Sequence, residues 1–289
     1  MALVALRQHP RLFAILFSAM KKESRTAAKK SPASAPTPRK RFPLERRPLF
    51  TALFGGNSVA ELIRNSRAAH WQGADAVCAE LACLPREERT VEALRPFMTA
   101  TPLPTMCCLY RNDHLKQDDD ARQKDLLAAL EAGAACIDVM GDLYDPSPRE
   151  WAHKPAAIAK QKRLIAKIHE AGAQVIISAH LYAFVEPEEV LAQLKDFEKR
   201  GADIVKLVQT ADTEEEFLAA LRATFLCRRE LKTPFVHLVS GAFAALHRLI
   251  APSLGLALTF AKLDPRDAIP MPPLANLKGV FENLRFQLP

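Results

Sequence analysis

The residues Gln174-Val-Ile-Ile-Ser-Ala-His180, then Glu186-Pro187-Glu-Glu189, then Gly201-Ala-Asp-Ile-Val-Lys206-Leu-Val208 decide how this chain folds. The first run is apolar and strand-like and ends in a histidine. Proline and acids open a helix after it, with Val190, Leu191, Leu194 and Phe197 at helical spacing. The third run is a second apolar strand. Strand, helix and strand in this order make a parallel pair. His180 and Lys206, each at the C-terminal end of its apolar run, therefore emerge on one edge of the sheet. That edge is where α/β folds place their chemistry.

A lysine directly after the buried run Ala202-Asp-Ile-Val205 is costly to keep charged in a barrel interior, and its neutral amine is a nucleophile. With a carbonyl substrate it would form a Schiff base. A histidine one strand away would move the protons that imine formation and breakdown require. Taken singly, Lys206 snorkelling to solvent and His180 ending a strand would account for either residue. The pair on adjacent parallel strands favours chemistry.

Outward from this unit, apolar strand-like runs alternate with helical patterns from Pro48 onward. The other strands are expected at 49–54, 74–81, 104–110, 136–140, 234–239 and 256–260, with a last helix near 276–284. Ser58, Asp212 and Thr213 are cap residues, and Gly133, Gly172 and Gly201 stop three helices just ahead of strands. The acids Asp118, Asp119 and Asp120 read as a helix start, with a metal site disfavoured because no partner ligands are spaced around them. Eight strand-then-helix units predict an α/β fold, a (β/α)8 TIM barrel over residues 47–289; an open doubly wound sheet is the alternative. No Gly-rich dinucleotide or phosphate loop follows any strand.

Charge is placed unevenly. Residues 1–50 hold twelve Lys and Arg against Glu23 and Glu45, a balance of +10 that leaves the rest of the chain at −3 out of a total of +7. The basic character therefore belongs to an extension, expected to be disordered over residues 1–46, and nucleic-acid binding by the barrel is not expected. A transit-like or nucleic-acid-binding arm fits that composition, and so does an overlong start with initiation at Met20. The apolar segment 12–20 is too short to cross a bilayer, so no membrane partner is expected. Six cysteines without a CxxC pair read as small buried hydrophobes in a reducing cytoplasm.

With these residues in view, the chain resembles the type I 3-dehydroquinate dehydratases, Schiff-base enzymes on a (β/α)8 barrel. Val175-Ile-Ile-Ser178-Ala-His180 is similar to the family's strand-five motif with its catalytic histidine. Gly201-Ala-Asp-Ile-Val-Lys206 is similar to the strand-six motif with the imine-forming lysine. Leu246-His247-Arg248-Leu249 resembles the segment whose arginine binds the substrate carboxylate, and Gly255–Ala261 the eighth strand. The resemblance implies Lys206 and His180 as catalytic residues, with Arg248 and Arg111 as substrate contacts. Ser178, two residues before His180 on the same face, is expected to line the pocket. It also implies dehydration of 3-dehydroquinate to 3-dehydroshikimate in the shikimate pathway without metal or cofactor. The partner is then a carboxylated cyclic ketone, the assembly a homodimer and the setting cytoplasmic.

The departures lie in the first half. The strand-two Glu-x-Arg pattern becomes Glu80-Leu-Ala82, methionine stands at 140 where the family has a glutamate that orients the histidine, and Arg111 comes one place late without the following Gly-Gly. The glutamine of the closing loop is absent from Asp267–Met271. Imine chemistry is kept and much of the polyol-recognition shell is gone, so the alternatives are a Schiff-base lyase or aldolase for another keto acid, or a catalytically weak metabolite-binding paralogue.

Overall fold

Each strand of the chain finds its neighbour in sequence as its neighbour in space. In the computed structural model, which describes residues 39–45, 48–111, 117–267 and 270–286, the strands are β1 (Leu49–Phe54), β2 (Ala76–Glu80), β3 (Thr105–Cys108), β4 (Cys136–Met140), β5 (Gln174–His180), β6 (Ile204–Thr210), β7 (Phe235–Ser240) and β8 (Leu258–Ala261). All ladders are parallel, in the order β7-β6-β5-β4-β3-β2-β1-β8. The ring closes between β7 and β8 through the Ala257 N–H, which donates to the Phe235 carbonyl at 2.8 Å. The expected (β/α)8 barrel is the fold.

One helix follows each strand among the described residues: α1 (Val59–Trp71), α2 (Val91–Met98), α3 (Asp119–Ala132), α4 (Pro155–Glu170), α5 (Pro187–Lys199), α6 (Glu214–Glu230), α7 (Ala244–Ile250) and α8 (Leu274–Leu284). Their starts have local causes. The side chains of Ser58, Thr90, Asp118 and Thr213 accept backbone N–H bonds, and Thr213 closes a capping box with Glu216. Asp118 is thus a cap, as its position suggests, while Asp119 turns toward Arg111. Gly201 ends α5 at φ +100°, a conformation other residues rarely hold.

The expected domain boundary at residue 46 is too late. Phe42 is 2% exposed within the core, and its N–H donates to the Gln174 side chain at 2.7 Å. Arg39 donates to the carbonyls of Leu130, Ala134 and Ala171. Lys40 reaches the carbonyls of Met98 and Thr101. These carbonyls stand at or just past the ends of α2, α3 and α4, where unpaired acceptors and the negative end of the helix dipole attract cations. A basic composition therefore conceals a strap under the N-terminal end of the barrel. The rest of the extension, residues 1–38, lies outside the described residues. Five of the six cysteines are buried; Cys83 corrects the expectation by being exposed. No helix among the described residues is long and apolar enough to cross a membrane.

Candidate active site

The strand alternation points Lys206 into the barrel, 5% exposed, with Nζ 4.6 Å from the centre of the Phe260 ring. Among the described residues, no hydrogen bond or ion pair ends on that nitrogen. Lys206 is registered with Ser178 on β5, and His180 lies two residues further along the same face. Burial first, then the charges of Lys206 and Arg248, pushes the His180 imidazole well below its ordinary pKa, which keeps the ring neutral near pH 7 and free to accept a proton, as a weaker base than an exposed imidazole. Its Nδ1 is buried without a partner, so no carboxylate orients the ring through that atom.

Arg248 on α7 donates Nε to the Val239 carbonyl at 3.0 Å and is 8% exposed. Burial lowers its guanidinium to about 10, which still leaves it charged at neutral pH. The structure thus brings Lys206, His180 and Arg248 into one electrostatic neighbourhood. His237 leaves it: its ring nitrogens face Thr224 of α6 and Gln209, in the helix layer behind the barrel. His247 packs edge-on to His237 there.

Two expected substrate contacts are occupied by the protein itself. Arg111 bridges Asp119 at 2.9 Å and Asp142 at 2.5 Å, and donates once more to the Asp142 carbonyl. Burial works against that charge, but the two carboxylates hold it above its ordinary value. The inward position at the end of β3 is Tyr110. Arg111 falls on the opposite parity, which the alternation from Cys108 already signals. Residues 112–116, where the family's Gly-Gly would follow, lie outside the described residues. Ser178 is fully buried, with Oγ 2.6 Å from the Tyr110 hydroxyl and donating to Asp138. It does not line an open pocket.

Strand four also differs from expectation. Met140 is registered with Ser178, and the ring that packs edge-on against His180 is Tyr110, 4.4 Å between centres. The inward carboxyl of β4 is Asp138. Asp142 belongs to the Arg111 cluster. On β2, Glu80 accepts from the Ala82 N–H and sits 3.4 Å from the Cys108 thiol, which contacts Cys78 in turn. Burial raises Glu80 to about 7, against the bonds from Ala82 and Cys108.

No motif or period in the chain marks Glu150. It comes from the loop between β4 and α4, accepts the His180 backbone N–H at 2.7 Å and lies 3.4 Å from the Tyr110 hydroxyl. Its φ of 44° is unusual for a residue with a side chain. The loop is fixed from beneath by Arg200, which donates to the Gly141 and Ala152 carbonyls, to Gln161 and to Asp196. A Cβ at Gly141 would overlap the Phe197 ring and the Glu150 carbonyl, so glycine is required there.

Residues 51–287 match the Type I 3-dehydroquinase family. The chain belongs to that family. Its curated relatives include the 3-dehydroquinate dehydratases of Geobacillus thermodenitrificans, 32% identical over 46% of this chain and 50% of that protein, and of Aromatoleum aromaticum, 28% identical over 44% and 49%. The chain spans about half the length of the curated relatives it matches. The fold is that of the Geobacillus kaustophilus 3-dehydroquinate dehydratase, with a TM-score of 0.68 at 21% identity over 82% of this chain and 91% of that one. It is equally that of the Clostridium difficile type I enzyme, solved with covalent modified comenic acid, at 0.70, 17% identity, 82% and 92%.

Proposed function

We propose that the chain is a hydro-lyase that converts 3-dehydroquinate to 3-dehydroshikimate through an imine on Lys206, without metal or cofactor. One observation carries this reading: an interior lysine whose amine has no hydrogen-bonded partner among the described residues, one strand from an imidazole that burial holds neutral.

The Lys206 amine adds to the ring ketone, and the carbonyl oxygen leaves as water. The resulting iminium acidifies the adjacent C–H, and His180 takes that proton. The enamine then expels the neighbouring hydroxyl, which leaves as a second water with the proton returned by the imidazolium. One water adds back to the imine, releasing product and restoring the amine, so the substrate loses one water overall. Arg248 holds the ring carboxylate by a charge-assisted bond. The same reading brings a carboxylated cyclic ketone as partner, a homodimer and a cytoplasmic setting.

The occupied state of Arg111 and Ser178 favours a second reading, a Schiff-base lyase or aldolase acting on a different keto acid. Borohydride added with 3-dehydroquinate should trap a covalent adduct on Lys206, seen by mass spectrometry of the peptide. Lys206→Ala should lose both adduct and turnover, by at least about 10³-fold. No adduct with 3-dehydroquinate but an adduct with another keto acid decides for the second reading. No adduct with any removes both.

A further inference from the structure

Four side chains make one unbroken line across the mouth. Asp138 accepts from Ser178, Ser178 meets Tyr110 at 2.6 Å, and Tyr110 reaches Glu150 at 3.4 Å, the longest link. At the inner end, Asp138 feels the charge of Lys206. At the outer end, Glu150 sits on the loop at the rim and is only partly buried.

A proton count decides what this line is. Three links need three hydrogens, and two hydroxyls supply two. With both carboxyls ionised, one link must pair oxygen against oxygen with no hydrogen between them, which is costly in a buried site. One further proton, on either carboxyl, completes all three links. With the proton on Asp138, hydrogens point Asp138 to Ser178 to Tyr110 to Glu150. With it on Glu150, all three point the other way.

We propose that Asp138, Ser178, Tyr110 and Glu150 hold one shared proton and form a relay between the surroundings of Lys206 and the rim of the barrel. In one pass three O–H bonds break and three form, and the net change is one proton moved between the two carboxyls. No oxidant or reductant takes part. The acidities agree with this. Burial raises Asp138, against the pull of Lys206 and Ser178, and raises Glu150 to about 7, against its bond from His180. Tyr110 is pushed well above 10 by burial and by Asp138 and Glu150, so the phenol passes protons and does not store the charge. The charged groups that bear on the line are Lys206 and Glu80 at the inner end, and Arg111 and Asp142 at the outer.

As a catalytic device the relay rests on the imine reading. Loss of water from the first adduct and return of water to the imine each need a proton moved near Lys206, a demand the relay shares with His180. Two kinds of measurement separate the relay from that reading. The first is infrared difference spectroscopy of the full chain without substrate. A protonated-carboxyl band at neutral pH should be present in the wild type and absent in Asp138→Asn, because the amide N–H donates to Ser178 and completes the chain, and Glu150 ionises while it accepts from Tyr110 and the His180 N–H. Because the Asp138 charge bears on Glu80, both proteins carry Glu80→Gln, which removes that carboxyl from the comparison. An unchanged band overturns the shared proton.

The second measurement is kinetic. Tyr110→Phe keeps the ring against His180 and removes the hydroxyl. Its kcat should fall about 10²-fold with KM little changed, and the curved dependence of rate on D2O fraction expected for several moving protons should become linear. Borohydride trapping by Tyr110→Phe should persist. Wild-type rate and curvature in that variant overturn the relay while leaving the imine intact. Absence of trapping in the wild type removes the imine reading, and the infrared result still decides the shared proton.

Discussion

The two halves of the barrel mouth are built on opposite terms. On β5, β6 and α7 the chemical groups are left available: Lys206 ends in no hydrogen bond among the described residues, His180 has an unpartnered Nδ1, and only Nε of Arg248 is engaged. On the side of β2, β3 and β4 the polar groups at the mouth are answered by one another. Arg111 is held by two carboxylates, Glu80 by a thiol and a backbone N–H, and Asp138 by Ser178 and Tyr110 behind it. A buried polar group that bonds its own protein gains little by rebinding a substrate hydroxyl, because one bond is exchanged for another. The groups left available and the groups already paired therefore fall on different sides of the mouth.

The comparison is broken most directly by exchanging arginines. Arg248→Leu should raise KM for a carboxylated substrate by about 10- to 100-fold through loss of a charge-assisted bond, with the melting temperature little changed. Arg111→Leu should do the reverse: KM nearly constant, and lower stability, because it leaves the buried Asp142 with the Ser147 N–H but without its charge partner. If Arg111→Leu raises KM as much as Arg248→Leu does, the clamped guanidinium takes part in recognition and the contrast is lost.

A smaller effect sharpens the open half. Burial, then Lys206 and Arg248, hold His180 below 6.5, so its ring signals in an NMR titration should move only further down in pH. The sign for stability follows: below 6.5 the unfolded chain binds a proton that the folded ring refuses, so stability present above 6.5 is lost as pH falls. Tyr110 packs edge-on against this ring, the charges of Lys206 and Arg248 bear on it, and Glu150 holds the backbone N–H of the same residue. A midpoint at or above 6.5 would mean that a carboxylate reaches the imidazole after all.

The smallest effect lies away from the mouth. A chain lacking residues 1–46 should melt several degrees below one lacking residues 1–38, since it gives up the buried Phe42 ring, worth roughly 1.5–3 kcal/mol, and the cations on three helix ends. Equal melting temperatures would show that the strap adds nothing to the barrel.

The alternation of apolar runs and capped helices was enough by itself to determine eight parallel strands, and parallel strands were enough to put His180 and Lys206 on one edge. Both follow from local periodicities of two and of about 3.6 residues, which a sequence displays openly. The same parity separates Tyr110, which points in, from Arg111, which points out. Only the tertiary structure decided which polar groups are spent. Glu150 meets His180 across thirty positions and Tyr110 across forty, from a loop with no period, and Tyr110 meets Ser178 across sixty-eight. Such pairings are set by how the ring closes and by the Arg200 and Gly141 contacts that seat the loop. The strap was hidden for the same reason: Arg39 and Lys40 look like any basic tail until the helix ends they cap are brought beneath the barrel.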